Sequence, residues 1–469
     1  MRLRNSSRPG DRLHVPLDCW CNLERGLGYF EVKLRELTRS MKLTRKSGKH
    51  TDTLLVPTRR RVAVANLELG MYVCELDRPW NETSFPFQGF PLLTPGEIRA
   101  IRNCCVFVYV DDTRRVRLQQ TASVAAAAPR VRKPQERQYH ALSTEVDEAR
   151  AAYLDGSELI EQVLADVQHG RVIDTRACHG AVKRNLESML RNESAMLWLI
   201  RLKNKDLYTS LHCLSVSIMA MGFGNHLGLL DDKLQLLGMA GLLHDVGKMR
   251  IDPEILNKPG KLTPQEFEII KRHPVYGLEA LRAQPGVPEA ALHAAYGHHE
   301  RLDGTGYPLG SGPAQISYLT RIITIVDAFD AITSHRAYDR ARPVQSAFDI
   351  LRRGSGRQFD EDLVREFIRW LGAFPVGTLV ELHTGEVAVV VEKHKQFQLR
   401  PRVVVLRDAA KERCAPRYLD LAQVTVDGEG TPYRISIGLP DGSFGLHIAD
   451  PELQSILHPQ VLADFEQGA

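Results

Sequence analysis

Apolar residues change their spacing several times along this chain, and each change marks a different kind of element. Up to about residue 52 no period is sustained and Arg, Lys, Ser and Gly are frequent, which predicts a partly disordered leader over 1–52. From Val56 short apolar runs take over. Arg61–Val64, Gly70–Leu76 and Cys105–Asp111 have strand lengths and strand composition. Between them Thr94, Pro95 and Glu97 form a helix-start signature, with the helix running to Ile101. Trp80, Phe85, Phe87 and Phe90 fit the core of such a unit better than a ligand box. The expectation is a small α/β module over 53–118.

An Ala-rich stretch and the segment Pro129–Pro134 then read as linker. Glu145–Gln168 follows with Val146, Tyr153, Ile160, Val163, Leu164 and Val167 near one face, an amphipathic helix that would couple two modules across 119–170. From 171 to 374 the pattern is helical throughout. Tyr208–Phe223 and Asp232–Leu243 are apolar nearly all round, Thr263-Pro264-Gln265-Glu266 opens a helix, and Ile316–Ile332 is another apolar one. After Pro375 the spacing returns to strands, at Val376–Leu382, Glu386–Glu392 and Arg402–Leu406. A small β module of barrel or sandwich type is expected over 375–469, closed by a helix from Pro451. The predicted fold is multidomain: a mainly α domain with a small α/β module before it and a small β module after it.

At 469 residues the chain exceeds what one core supports. Its net charge of +4 is small, so charge alone does not favour a nucleic acid polymer as partner. The eight cysteines form no CxxC pair, and neither Cys104-Cys105 nor Cys19/Cys21 suits an ordinary bridge, so a reducing compartment is expected. No run approaches the length of a membrane span, and the N-terminus lacks the apolar stretch of a signal peptide. A cytoplasmic protein is the reading.

The helical region carries polar residues where packing alone would not put them. His212 interrupts an apolar helix, His244-Asp245 closes another, His273 precedes Pro274, His298-His299 follows Ala294-Ala295, and Asp327 ends Ile322–Val326. Each alone is ordinary. Together, five histidines and two aspartates in apolar helices call for a shared cation, since a buried charge without a partner is costly. Mixed imidazole and carboxylate ligation suits divalent transition metals, and the surplus of donors over one ion's needs suggests two. Lys248 is placed to neutralise phosphate as a point charge. After the histidine pair comes Glu300-Arg301-Leu302-Asp303-Gly304-Thr305-Gly306-Tyr307-Pro308, where the glycines allow positive φ or close backbone approach.

His244-Asp245, Asp327 and His298-His299-Glu300-x-x-Asp303-Gly304-x-Gly306-Tyr307-Pro308 resemble the HD-GYP subgroup of the HD-domain phosphohydrolases, over roughly 171–374. Asp252–Thr263 resembles it too. Pro79-Trp80, Phe85–Phe90 and Tyr109-Val110-Asp111 resemble the DUF3391 domain that often precedes HD-GYP. The resemblance implies a helical HD fold with a histidine-rich site for two divalent transition metal ions, iron or manganese. It implies hydrolysis of cyclic di-GMP to pGpG, and in some members to GMP. Carried over, His212, His244, Asp245, His273, His298, His299 and Asp327 would be metal ligands, with Asp245 bridging. Asp245 and Lys248 would be catalytic, and Lys248, Asp303, Gly306, Tyr307, Pro308 and Arg336 would meet the substrate. The Gly306–Pro308 loop would also face diguanylate cyclase (GGDEF) domains. Members with a third metal carry glutamate where this chain has Tyr208, so a dinuclear site is expected. Asp339 replaces a basic residue of many members, which keeps open a non-catalytic cyclic di-GMP-binding or cyclase-docking protein. A phosphohydrolase of another cyclic dinucleotide is also open.

Overall fold

A computed structural model describes residues 59–78, 90–92, 95–112, 139–201, 208–334, 342–394, 397–423, 426–456, 458 and 462–463. The leader over 1–52, most of the aromatic cluster, the Thr94 cap, the Ala/Pro linker, Arg336 and Asp339 lie outside these residues.

The first unit is a four-stranded antiparallel sheet. Its strands are β1 (Arg59–Ala63), β2 (Tyr72–Leu76), β3 (Phe90–Pro91) and β4 (Phe107–Asp111), in the order β1-β4-β2-β3, with α1 (Pro95–Cys104) leading into β4. Strand alternation builds its core. Val73, Val108 and Val110 are buried and meet Ile101 of α1, while Phe107 and Tyr109 lie on the opposite face.

The helical region begins with α2 (Leu142–Gln168). There follow α3 (Thr175–Arg191), α4 (Glu193–Leu199), α5 (Tyr208–His226) and α6 (Asp231–Leu243), then a 3-10 turn at Val246–Arg250. Next come α7 (Pro253–Leu256), α8 (Pro264–Ile270), α9 (His273–Arg282), α10 (Glu289–Gly297), α11 (Tyr318–Thr333), α12 (Val344–Gly354) and α13 (Glu361–Leu371). The Thr263-x-x-Glu266 signature closes a capping box at the start of α8, each side chain bonding the other's backbone N–H. Along α5, Cys213, Leu214, Val216, Ile218, Met219 and Phe223 are all buried, which explains why its sequence shows no polar face. The amphipathic helix α2 does more than couple modules. Val146, Tyr153, Ile160, Val163 and Val167 sit in the same core as α5 and α6. Glu145 at its start is fully buried and accepts a bidentate pair from Arg191, at 2.7 and 2.8 Å.

The last region is one antiparallel sheet of β5 (Leu379–Leu382), β6 (Val387–Glu392), β7 (Arg402–Arg407), β8 (Arg413–Asp420) and β9 (Ile435–Leu439), ordered β8-β7-β6-β5-β9, followed by α14 (Pro451–Ile456). The run Val387-Ala-Val-Val-Val-Glu392 is buried on both faces. Val387, Val389 and Val391 join the helical core, whereas Ala388 and Val390 share a second core with Val380, Val403 and Val405. A continuous apolar strand is what two covered faces require. No helix among the described residues is long and apolar enough to cross a membrane.

Candidate metal centre

Three helices bring the first donors together. His212 lies in the second turn of α5, His244 caps α6, and Asp327 lies on α11. His212 Nε2 stands 3.1 Å from Asp327 Oδ1, and His244 Nε2 stands 3.9 Å from the same oxygen. The second group is His273 at the start of α9 with His298 and His299 after α10. Its donor atoms lie within 4.8 Å of one another, and the His273 and His298 Nε2 atoms are 3.2 Å apart.

Asp245 stands between the groups. Its Oδ2 is 3.6 Å from His212 Nε2 and 3.4 Å from His244 Nε2. Its Oδ1 is 3.3 Å from His273 Nε2 and 3.6 Å from His298 Nε2. One carboxylate thus presents one oxygen to each half. Gly247 makes this approach possible, because a Cβ there would lie 2.0 Å from the His273 carbonyl oxygen. The Lys248 ammonium, partly exposed, contacts Asp245 Oδ2.

The other imidazole nitrogens are pinned away from the centre. Nδ1 of His244 bonds the Gly241 carbonyl at 2.8 Å, that of His273 the Ile270 carbonyl at 2.7 Å, and that of His298 the Ala294 carbonyl at 2.9 Å. His212 Nδ1 instead bonds the Asp330 carboxylate at 2.7 Å. With Nδ1–H donating outward, Nε2 keeps its lone pair for a metal, the arrangement that orients and strengthens imidazole ligands. Asp330 was not among the residues picked out by sequence. Its signal was the i+3 spacing from Asp327 on one helix face.

Electrostatics fit the same use. Burial opposes ionisation of Asp245, yet Lys248 and His244 hold its carboxyl well below the ordinary range. Burial brings the His273 imidazole down to about 3, and burial with its two neighbouring imidazoles keeps His299 neutral as well. Neutral imidazoles and ionised carboxylates are the forms that bind metals. His244 Nε2 and Asp245 Oδ1 are buried with no hydrogen-bond partner, and a cation would satisfy both.

The loop that follows is built onto this centre. Gly306 passes so close that a Cβ would lie 2.5 Å from Arg301 N and 2.6 Å from the His299 carbonyl oxygen. Tyr307 stacks on His299 with ring centroids 4.7 Å apart, and the Tyr307–Pro308 peptide is cis. Buried Glu300 accepts from Leu309 N and Ser311 N at 2.7 and 2.8 Å, which ties down the loop's far end. Asp303, expected to meet substrate, has its carboxylate engaged by Arg301 and by Thr305.

An HD-type helical fold around a buried cluster of imidazoles and carboxylates defines a metal-dependent phosphohydrolase. The family model described as "HD domain" matches residues 186–363, DUF3391 matches 59–178, and a "KOW domain associated with HD domain" matches 379–425. The chain is 35% identical over 366 residues to a cyclic di-GMP phosphodiesterase of Pseudomonas aeruginosa, covering 76% of this chain and 87% of that protein. It is 34% identical over 166 residues to a cyclic di-GMP phosphodiesterase of Thermotoga maritima, covering 35% of this chain and 45% of that one. It is 35% identical over 172 residues to a 3'3'-cGAMP-specific phosphodiesterase of Vibrio cholerae, covering 36% and 37%. The chain belongs to the HD-GYP phosphodiesterases, in the group that carries DUF3391 ahead of the HD domain.

Proposed function

We propose that the chain hydrolyses cyclic di-GMP to linear pGpG, using two divalent transition metal ions, iron or manganese. The observation that carries this reading is Asp245, which turns one oxygen to each histidine group. His212, His244 and Asp327 would hold one ion with Oδ2. His273, His298 and His299 would hold the other with Oδ1. Two such ions supply a hydroxide nucleophile near neutral pH and neutralise charge on the phosphoryl group.

The chain's own residues would do the rest. Lys248, already against Asp245, is the cation a phosphate oxygen meets on entry. Tyr307, stacked on His299, limits that imidazole's motion and walls the site on one side. The water oxygen joins phosphorus, the bond to the 3'-oxygen breaks, and the departing 3'-oxygen takes a proton. Leu309, 67% exposed beside the Gly306–Pro308 loop, is an apolar residue that a diguanylate cyclase domain would cover. A cytoplasmic location goes with this substrate.

The test is hydrolysis of cyclic di-GMP by protein purified anaerobically, with metal content measured on the same sample. Turnover should appear with about two metals per chain and vanish in the His244→Ala/Asp245→Ala double variant. Bound metal without turnover would sink the enzyme reading and leave a binding protein. A second reading is cleavage of another cyclic dinucleotide, since a 3'3'-cGAMP-specific relative is 35% identical, though over 172 residues against 366 for the Pseudomonas aeruginosa relative. Competition between cyclic di-GMP and 3'3'-cGAMP decides between them.

A further inference from the structure

Each half of the metal centre has an ammonium group beside it. Lys248 lies against Asp245 Oδ2, the oxygen turned to His212 and His244. Beside the other half stands Lys271, which caps the C-terminus of α8 two residues before His273. Its Nζ lies 5.9 Å from the centre of the Tyr307 ring, and that ring is stacked on His299. The same Nζ lies 5.5 Å from the centre of the Phe267 ring, one turn back on α8. An ammonium is drawn to the negative face of an aromatic ring, so the two rings fix where this cation stands. Phe267 is 42% exposed, and this corner therefore opens to solvent.

Little competes for the charge among the described residues. Its carboxylate partner is Glu268, three residues back at 2.5 Å, with a side chain 67% exposed. A surface pair of that kind is worth little and exchanges readily. Glu266, the other nearby acid, is taken by Lys258 through both oxygens at 2.7 Å and by Thr263 N.

The cleavage proposed above makes no use of Lys271. One phosphodiester is met by the two ions and Lys248. A cyclic dinucleotide has a second phosphodiester across its ring, which stays anionic while the first reacts and is out of reach of the ions that hold the first. An anion brought against protein surface needs a cation. We propose that Lys271 binds this second, unreacting phosphodiester and so favours cyclic dinucleotides over substrates with a single phosphate. The inference rests on reading the chain as a cyclic dinucleotide phosphodiesterase.

The test measures kcat/KM of the metal-loaded full chain on cyclic di-GMP and on bis(p-nitrophenyl) phosphate, an activated diester with one phosphate. Lys271→Met should lower the ratio of the two about tenfold or more, as expected for loss of a charge-assisted contact. Lys271→Arg keeps the charge and should restore most of it. If the small diester turns over too slowly, the split within cyclic di-GMP kinetics decides: KM should rise about tenfold in Lys271→Met and kcat should fall less. An unchanged ratio, or an unchanged KM in that split, overturns the inference and leaves the enzyme standing. A loss shared equally by both substrates overturns it too, because damage to the metal centre acts on both alike. A wild-type chain that hydrolyses neither cyclic di-GMP nor 3'3'-cGAMP overturns the proposed function, and this inference with it.

Discussion

The two halves of the metal centre are made differently. His212, His244 and Asp327 come from α5, α6 and α11, helices packed into the main core. Two of these three residues sit inside helices, and His212 is backed by the carboxylate of Asp330. The other half is imidazole only. His273 opens α9, and His298 and His299 lie on the turn that leaves α10, backed by main-chain carbonyls and one tyrosine ring. A carboxylate behind a ligand raises its basicity, whereas a carbonyl mainly orients it. The first half is thus set by the core, and the second depends on the loop that follows it.

Removing Asp245 should have the largest effect, because both halves lose an oxygen at once. Asp245→Ala is expected to lower turnover by on the order of 10³-fold or more, with loss of metal from both halves. Metal retention near the wild-type level would show that the halves bind independently. Gly306→Ala should separate them. Its Cβ would strike backbone at Glu300 and Arg301, so the loop must shift. A displacement of about 1 Å can cost about 10²-fold in turnover. The first half should keep its ion, which metal analysis after dialysis would detect.

Asp330→Asn acts on the first half alone, and metal affinity there should fall by about 10- to 100-fold. A competition titration with a chelator measures it, and an equal loss in the second half would break the proposed asymmetry. The smallest effect is expected from Tyr307→Leu, which removes the stack on His299. It should cost about 1 kcal/mol of ordering in the second half, read as a several-fold loss in turnover with metal content unchanged.

Much of the first half was legible in the sequence, since a histidine inside Leu211-His212-Cys213-Leu214 contradicts an apolar helix unless something pairs with it. Asp330 left only its i+3 spacing from Asp327 as a signal, because its partner His212 is 118 residues away and only the fold brings them together. The central strands β5, β6 and β7 were readable from their valines. The outer strands β8 and β9 were not, for the reason that edge strands need not be apolar. Arg413, Ala415, Pro416 and Arg417 of β8 are exposed, and proline is tolerated at an edge. The sequence also showed that α2 has an apolar face but not what covers it. That face is closed by residues of α3, α4 and α5, and no local pattern names a partner.

The two-sided burial of β6 bears on how this protein can be taken apart. Sequence punctuation at Pro375 invites a cut there, and a shorter chain ending at that point would still contain every proposed metal ligand. It would also lose Val387, Val389, Val391, Val404 and Leu406 from the shared core, leaving the residues they cover facing water. Newly exposed apolar ground of that kind drives self-association. The C-terminal sheet is therefore the floor on which the helical region stands, and the smallest soluble piece able to carry out the chemistry should include it.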